Sequence, residues 1–144
     1  MATYLWLVYA LLAAITGALV AIFGKIGLQH LDSNAATALR GIIMAVFLVI
    51  VITVQGKLSL IPEMIANRKA LLFITLSGLA GACSWLFYFL AVQQGKVSQV
   101  VPIDRLSVVF AIGLAFVFLG EKISVWGVMG AGLMVAGAIM IALG

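Results

Sequence analysis

The sequence predicts an all-α membrane protein with five transmembrane helices. Three observations carry that prediction: hydrophobic residues make up 66% of the 144-residue chain and charged residues only 8%, the mean hydropathy is +1.34, and the sparse charges divide the chain into five apolar runs. A soluble domain of this size keeps about a quarter of its residues charged. In hydrocarbon, every backbone N–H and C=O must find its partner within the protein, which selects helices. The eight Lys and Arg outnumber the four Asp and Glu for a net charge of +4, yet they stand mostly singly at the flanks of apolar runs. They read as helix flanks and not as a phosphate-binding patch, so no nucleic-acid partner is expected. One Cys and one His close no internal disulfide and build no structural zinc site, so neither metal nor cofactor is expected. Cys83, at mid-span, reads as a small packing residue.

The first span covers about 5–24. It is too long for a signal-peptide core and has no basic side chain before Lys25, so it reads as a retained span. Ala14, Gly17, Ala18, Ala21 and Gly24 form one helical stripe, a face on which a second backbone comes close, whether for packing alone or for transport. Lys25 is expected to leave the membrane. A polar connection follows from Gly27 to Asn34, with Asp32-Ser33-Asn34 offering N-cap chemistry. His30 reads as an ordinary loop histidine, because nothing in the sequence buries or partners it.

The second span, about 35–54, contains Arg40. The uncharged run from Gly41 to Val54 has fourteen residues, and at about 1.5 Å per residue it falls short of a hydrocarbon core about 30 Å thick. Arg40 is therefore expected inside the span, unless it snorkels to the interface. From Gln55 to Lys69 the chain is amphipathic, and Pro62 suits the first turn of a short interfacial helix that serves as an anchor.

The third span, about 71–92, carries a polar stripe at Ser77, Gly81, Ser84 and Tyr88, with Trp85 beside it. Aromatic side chains next to an embedded charge suit a cavity for a partly apolar solute, a cationic one included. The competing reading of Tyr88 and Trp85 is an aromatic belt at the membrane surface.

The fourth span, about 97–119, repeats the length shortfall. Its uncharged run from Leu106 to Gly120 has fifteen residues, about 22 Å, so Pro102, Asp104 and Arg105 are expected inside the membrane. Counting alternate crossings puts Arg40, Asp104 and Arg105 at one depth on one side, where embedded charge usually marks a functional pathway. Pro102 has no N–H for the Ser98 carbonyl, and the helix is expected to bend there. The fifth span, about 125–143, is rich in glycine and reads as a packing or dimerisation helix.

No nucleophile, base and orienting group occur together, and the glycines do not sit in a phosphate-cradling context, so an enzyme is not expected. A few charges at one depth in a small helical protein fit a solute carrier. Five helices are few to enclose a solute, which suggests a homodimer, parallel or antiparallel. The Lys and Arg divide four against four between the two sides. Discounting the two embedded arginines gives four against two and a cytoplasmic N-terminus.

Gln94-Gly95-Lys96-Val97-Ser98-Gln99-Val100-Val101-Pro102, then Phe118-Leu119-Gly120-Glu121-Lys122-Ile123, Gly127 and Gly137, resemble the second half of an EamA domain of the drug/metabolite transporter superfamily. Phe23-Gly24-Lys25-Ile26-Gly27 and Ala38-Leu39-Arg40 resemble its first half. The resemblance implies one five-helix EamA-type repeat over residues 1–144, half of the ten-helix carriers that export metabolites, amino acids or drugs. It further implies a bacterial or archaeal cytoplasmic (inner) membrane. The chain departs from the two-repeat members by holding one repeat, and from the small multidrug resistance branch by lacking a carboxylate in the first span, which leaves Asp104 as the one embedded acid.

The expected function is a secondary transporter, an exporter of a small metabolite, amino acid or organic cation, alternating access within a homodimer. Asp104 and Arg105 would gate or bind, Arg40 would pair with Asp104 or an anionic group, and Ser84, Trp85, Tyr88 and Pro102 would line the cavity. The alternatives are a non-transporting membrane subunit and a component of a lipid-linked sugar flippase.

Overall fold

The computed structural model describes residues 4–144. Its helices are α1 (Leu5–Gly27), α2 (Ser33–Val54), a 3₁₀ turn (Leu58–Leu60), α3 (Ile61–Ala66), α4 (Arg68–Gln94), α5 (Val97–Asp104), α6 (Ser107–Leu119) and α7 (Val125–Leu143). Among the described residues, five stretches are long and apolar enough to cross a membrane: α1, α2, α4, α5 with α6 taken together, and α7. No strand occurs among the described residues, as an all-α membrane protein requires. Large apolar side chains lie on the outside, with Phe87, Phe118 and Trp126 between 73% and 80% exposed. A bilayer solvates such a surface; water would not. The chain divides into two compact units, one comprising Gly27–Gln93 and the other the residues up to Ile26 with Gln94–Gly144.

In the Gly27–Gln93 unit, α2 starts where the sequence offered a cap. Asp32 Oδ1 accepts the Ala35 amide at 2.8 Å, satisfying one of the orphan donors of the first turn. Thr37 is buried, and its hydroxyl donates to the Ser33 carbonyl at 2.7 Å, so the helix itself satisfies this polar group. Pro62 falls in the first turn of α3, where a missing N–H removes no helical bond. Asn67 Oδ1 accepts the Ala70 amide at 3.1 Å. This cap draws Arg68 and Lys69 into α4, which begins three residues before the expected start near Leu71. At the other end of α4, Gln93 Nε2 donates to the Leu31 carbonyl at 2.8 Å. The C-terminal end of α4 is thereby tied to the connection that precedes α2, and the two helices run antiparallel.

In the other unit, α1 continues past the expected end at Gly24 and holds Lys25 in its last turn. Lys25 Nζ donates to the Gly95 carbonyl at 3.0 Å, so the ammonium has a polar partner without the helix having to stop. α5 packs along α7, and Gln99 Nε2 donates to the Ala142 carbonyl near the end of α7 at 3.3 Å. α6 closes on Gly120, whose φ of 66° lies in the left-handed region. The Glu121 amide folds back onto the Ala115 carbonyl at 3.3 Å, a terminus that favours glycine at position 120. Ser124 Oγ accepts the Gly127 amide at 3.1 Å and caps α7.

The length shortfall of the fourth span persists in three dimensions. α6 holds thirteen residues, about 20 Å of helix against a core of about 30 Å. Only the joined segment Val97–Leu119, with its 23 residues, is long enough to cross.

Candidate functional site

Arg40 lies seven residues into α2, about 10 Å from its first residue, and is half-buried. The antiparallel partner α4 brings two rings to it. The guanidinium carbon stands 3.8 Å from the centroid of the Phe89 ring and 4.7 Å from that of Trp85. Trp85 and Phe89 are four residues apart, so both point from one face of α4. Phe89 is buried, at 3% exposure, and the Tyr88 ring meets it edge-on at 5.0 Å and 85°. The cation is thus held by aromatic faces, with no carboxylate in the cluster.

Hydrogen bonding at this arginine is incomplete. Nε and Nη1 are buried and have no hydrogen-bond partner among the described residues. A desolvated cation–π contact contributes about 2 kcal/mol. Leaving a buried donor unpaired costs about 1–3 kcal/mol, and more when the donor is charged. With two such donors the cost is of the same order as what the two rings supply. The cluster fixes the position of a cation and leaves Nε and Nη1 without an acceptor among the described residues. Chemically, that arrangement suits recognition of an anionic or strongly accepting group, since hydrogen bonds from a guanidinium to an oxyanion are among the strongest available.

In the other unit, α5 ends at Asp104, which is half-buried, and Arg105 and Leu106 form the turn before α6. The helix runs through Pro102 and does not end there. Pro102 is the sixth residue of α5, so the bond it cannot donate is to Ser98, in the first turn. The irregularity falls one turn later, where Leu106, Val108 and Val109 each donate to the carbonyl three residues back, a local tightening to 3₁₀ geometry. Arg105 is exposed and lies over α1: a methyl group added at Gly17 would sit 3.4 Å from Arg105 Nη2. The small-residue stripe of α1 therefore receives a guanidinium at Gly17, and Ala21 on the same stripe is buried, at 2% exposure.

Of the residues singled out in the sequence, Arg40, Trp85 and Tyr88 meet in one cluster, and Pro102, Asp104 and Arg105 share the α5 terminus. Ser84 is exposed and stands one position, about 100° of helix, away from Trp85; no hydrogen bond joins it to Arg40 among the described residues. Phe89, the ring nearest to Arg40, escaped the sequence reading. Its position four residues after Trp85 is the signal that would have found it. No group of three or more His, Cys, Asp or Glu suited to a metal occurs among the described residues.

Residues 4–143 match the EamA-like transporter family. A protein of Sinorhizobium sp., described as an uncharacterized transporter in the cobO 3′ region, is 36% identical over 137 residues, covering 95% of this chain and 96% of that protein. No solved structure matches the chain.

Proposed function

The chain belongs to the EamA-like transporter family, and from that premise we propose that it is a secondary transporter that exports a small solute by alternating access within a homodimer. Its family and its five apolar spans make it an integral membrane transporter; the cytoplasmic membrane is the expected site. The solute is a metabolite, an amino acid or an organic cation. Arg40, Trp85, Tyr88 and Ser84 line its route, and Pro102, Asp104 and Arg105 form the gating segment, with Asp104 free to pair with a cation or a proton.

The observation that carries this reading is Arg40. A purely structural cation in a membrane span is expected to have its donors satisfied, because an uncompensated one is costly. Here two rings hold the cation while Nε and Nη1 stay without a partner. Support for the homodimer is that these residues hold one five-helix repeat and the match covers 96% of the Sinorhizobium relative, where the two-repeat carriers that the chain resembles have ten helices.

Counterflow in proteoliposomes tests the proposal. Wild-type protein is expected to exchange internal for external radiolabelled solute. Arg40→Ala and Asp104→Asn proteins that elute and melt like wild type are expected to lose at least about tenfold in rate, a barrier increase of about 1.4 kcal/mol. Unaltered rates in both variants would remove these residues from the route.

A further inference from the structure

We propose that the Arg40 cluster is an oxyanion-recognition element, which makes the transported solute a small molecule bearing a carboxylate or phosphate beside an apolar body. The inference rests on the transport reading and narrows it, since it selects anionic and zwitterionic solutes over simple organic cations.

Four features of one unit carry it. The guanidinium carbon lies over the Phe89 ring at 3.8 Å and over the Trp85 ring at 4.7 Å, so two aromatic faces hold the cation in place. Nε and Nη1 are both buried without a partner among the described residues; lying on different edges of the guanidinium, each takes its own acceptor, and a guanidinium gives its strongest hydrogen bonds to an oxyanion. Arg40, Trp85, Tyr88 and Phe89 include no acid, so no carboxylate of the cluster competes for the cation. A cationic solute would meet the charge of Arg40 among these rings and be repelled in a low-dielectric setting, where like charges interact strongly. The rings themselves offer an apolar surface for the body of the solute.

An oxyanion at this position could come from a solute or from a lipid headgroup phosphate, and the experiment separates the two. Purified wild-type and Arg40→Gln proteins are reconstituted in phosphatidylcholine vesicles, and counterflow is measured for matched probes. The set comprises the proteinogenic amino acids, lactate, benzoate and glycerol 3-phosphate, with the corresponding amides, amines and glycerol. Wild type is expected to exchange at least one carboxylate or phosphate at ten times or more the rate of its uncharged or cationic counterpart, and Arg40→Gln is expected to abolish that preference. Arg40→Lys, which keeps the charge but loses the planar donor array, is expected to retain part of it. Should Arg40→Gln fold poorly, the preference of the wild-type protein among matched probes decides by itself. Exchange of amines alone, or an oxyanion preference that survives Arg40→Gln, would overturn the proposal while the transport reading stands. Loss of co-purifying anionic lipid in Arg40→Gln with unchanged counterflow would assign the oxyanion to lipid and equally overturn it. Silence of correctly folded wild-type protein toward every probe would contradict the transport reading and this inference with it.

Discussion

Arg40 is the one charged side chain in α2, a segment that is otherwise almost entirely apolar. Two aromatic faces lower the cost of placing it there, and the nearer of them belongs to Phe89. Phe89→Leu keeps most of the volume and removes the π face. The expected result is a rise of about fivefold in the half-saturating solute concentration, about 1 kcal/mol, because Arg40 loses a ring that holds it in its binding position, with the same helical content by circular dichroism. An unchanged half-saturation would mean that the ring serves packing alone. Arg40 stood out in the sequence because counting residues against bilayer thickness puts it inside the span or snorkelling at its edge. Phe89 was not, because the sequence holds eight phenylalanines and an apolar ring in an apolar span attracts no notice. Its role appears only once the face of α4 toward α2 is known.

Among the elements, the α5–α6 junction combines charge with irregular backbone. The sequence placed a bend at Pro102, whereas α5 runs on to Asp104 and the three-residue hydrogen bonds fall at Leu106, Val108 and Val109. The displacement follows from where α5 begins: a proline six residues in removes a bond only to the first turn, so the helix absorbs it. The α1 stripe was legible as a place of close approach, but spacing alone did not reveal that Arg105 would lie against it. Gly17 gives a test at this scale. An alanine there meets Arg105 Nη2 at an ordinary contact distance of 3.4 Å, and Gly17→Ala is expected to transport at near wild-type rate. Gly17→Leu pushes the exposed Arg105 guanidinium off this position and is expected to lower counterflow at least about tenfold. Equal rates in the two variants would show that the position of Arg105 over α1 is immaterial to transport.

For the whole molecule, the class and its five spans follow from one constraint that acts on each segment separately: a helix must be long enough and apolar enough to match the membrane. Span positions were therefore readable to within a few residues, and the departures at Gly24 and Leu71 trace to local polar partners, Lys25 with Gly95 and Asn67 with Ala70. The site was readable only in part, because it depends on which helix faces meet, and apolar residues of similar size say little about that in lipid. Central to the account is that the solute engages Arg40 beside Trp85, and a fluorescence titration reports on that contact most directly. Of the three tryptophans, Trp6 and Trp126 are replaced by phenylalanine so that Trp85 alone emits. The best carboxylate or phosphate probe from counterflow is then added to this protein and to its Arg40→Gln counterpart. A saturable change in Trp85 emission, with a midpoint close to the half-saturation of transport and absent in Arg40→Gln, is the predicted result; saturating transport with no change in Trp85 emission, or the same change in both proteins, would contradict it.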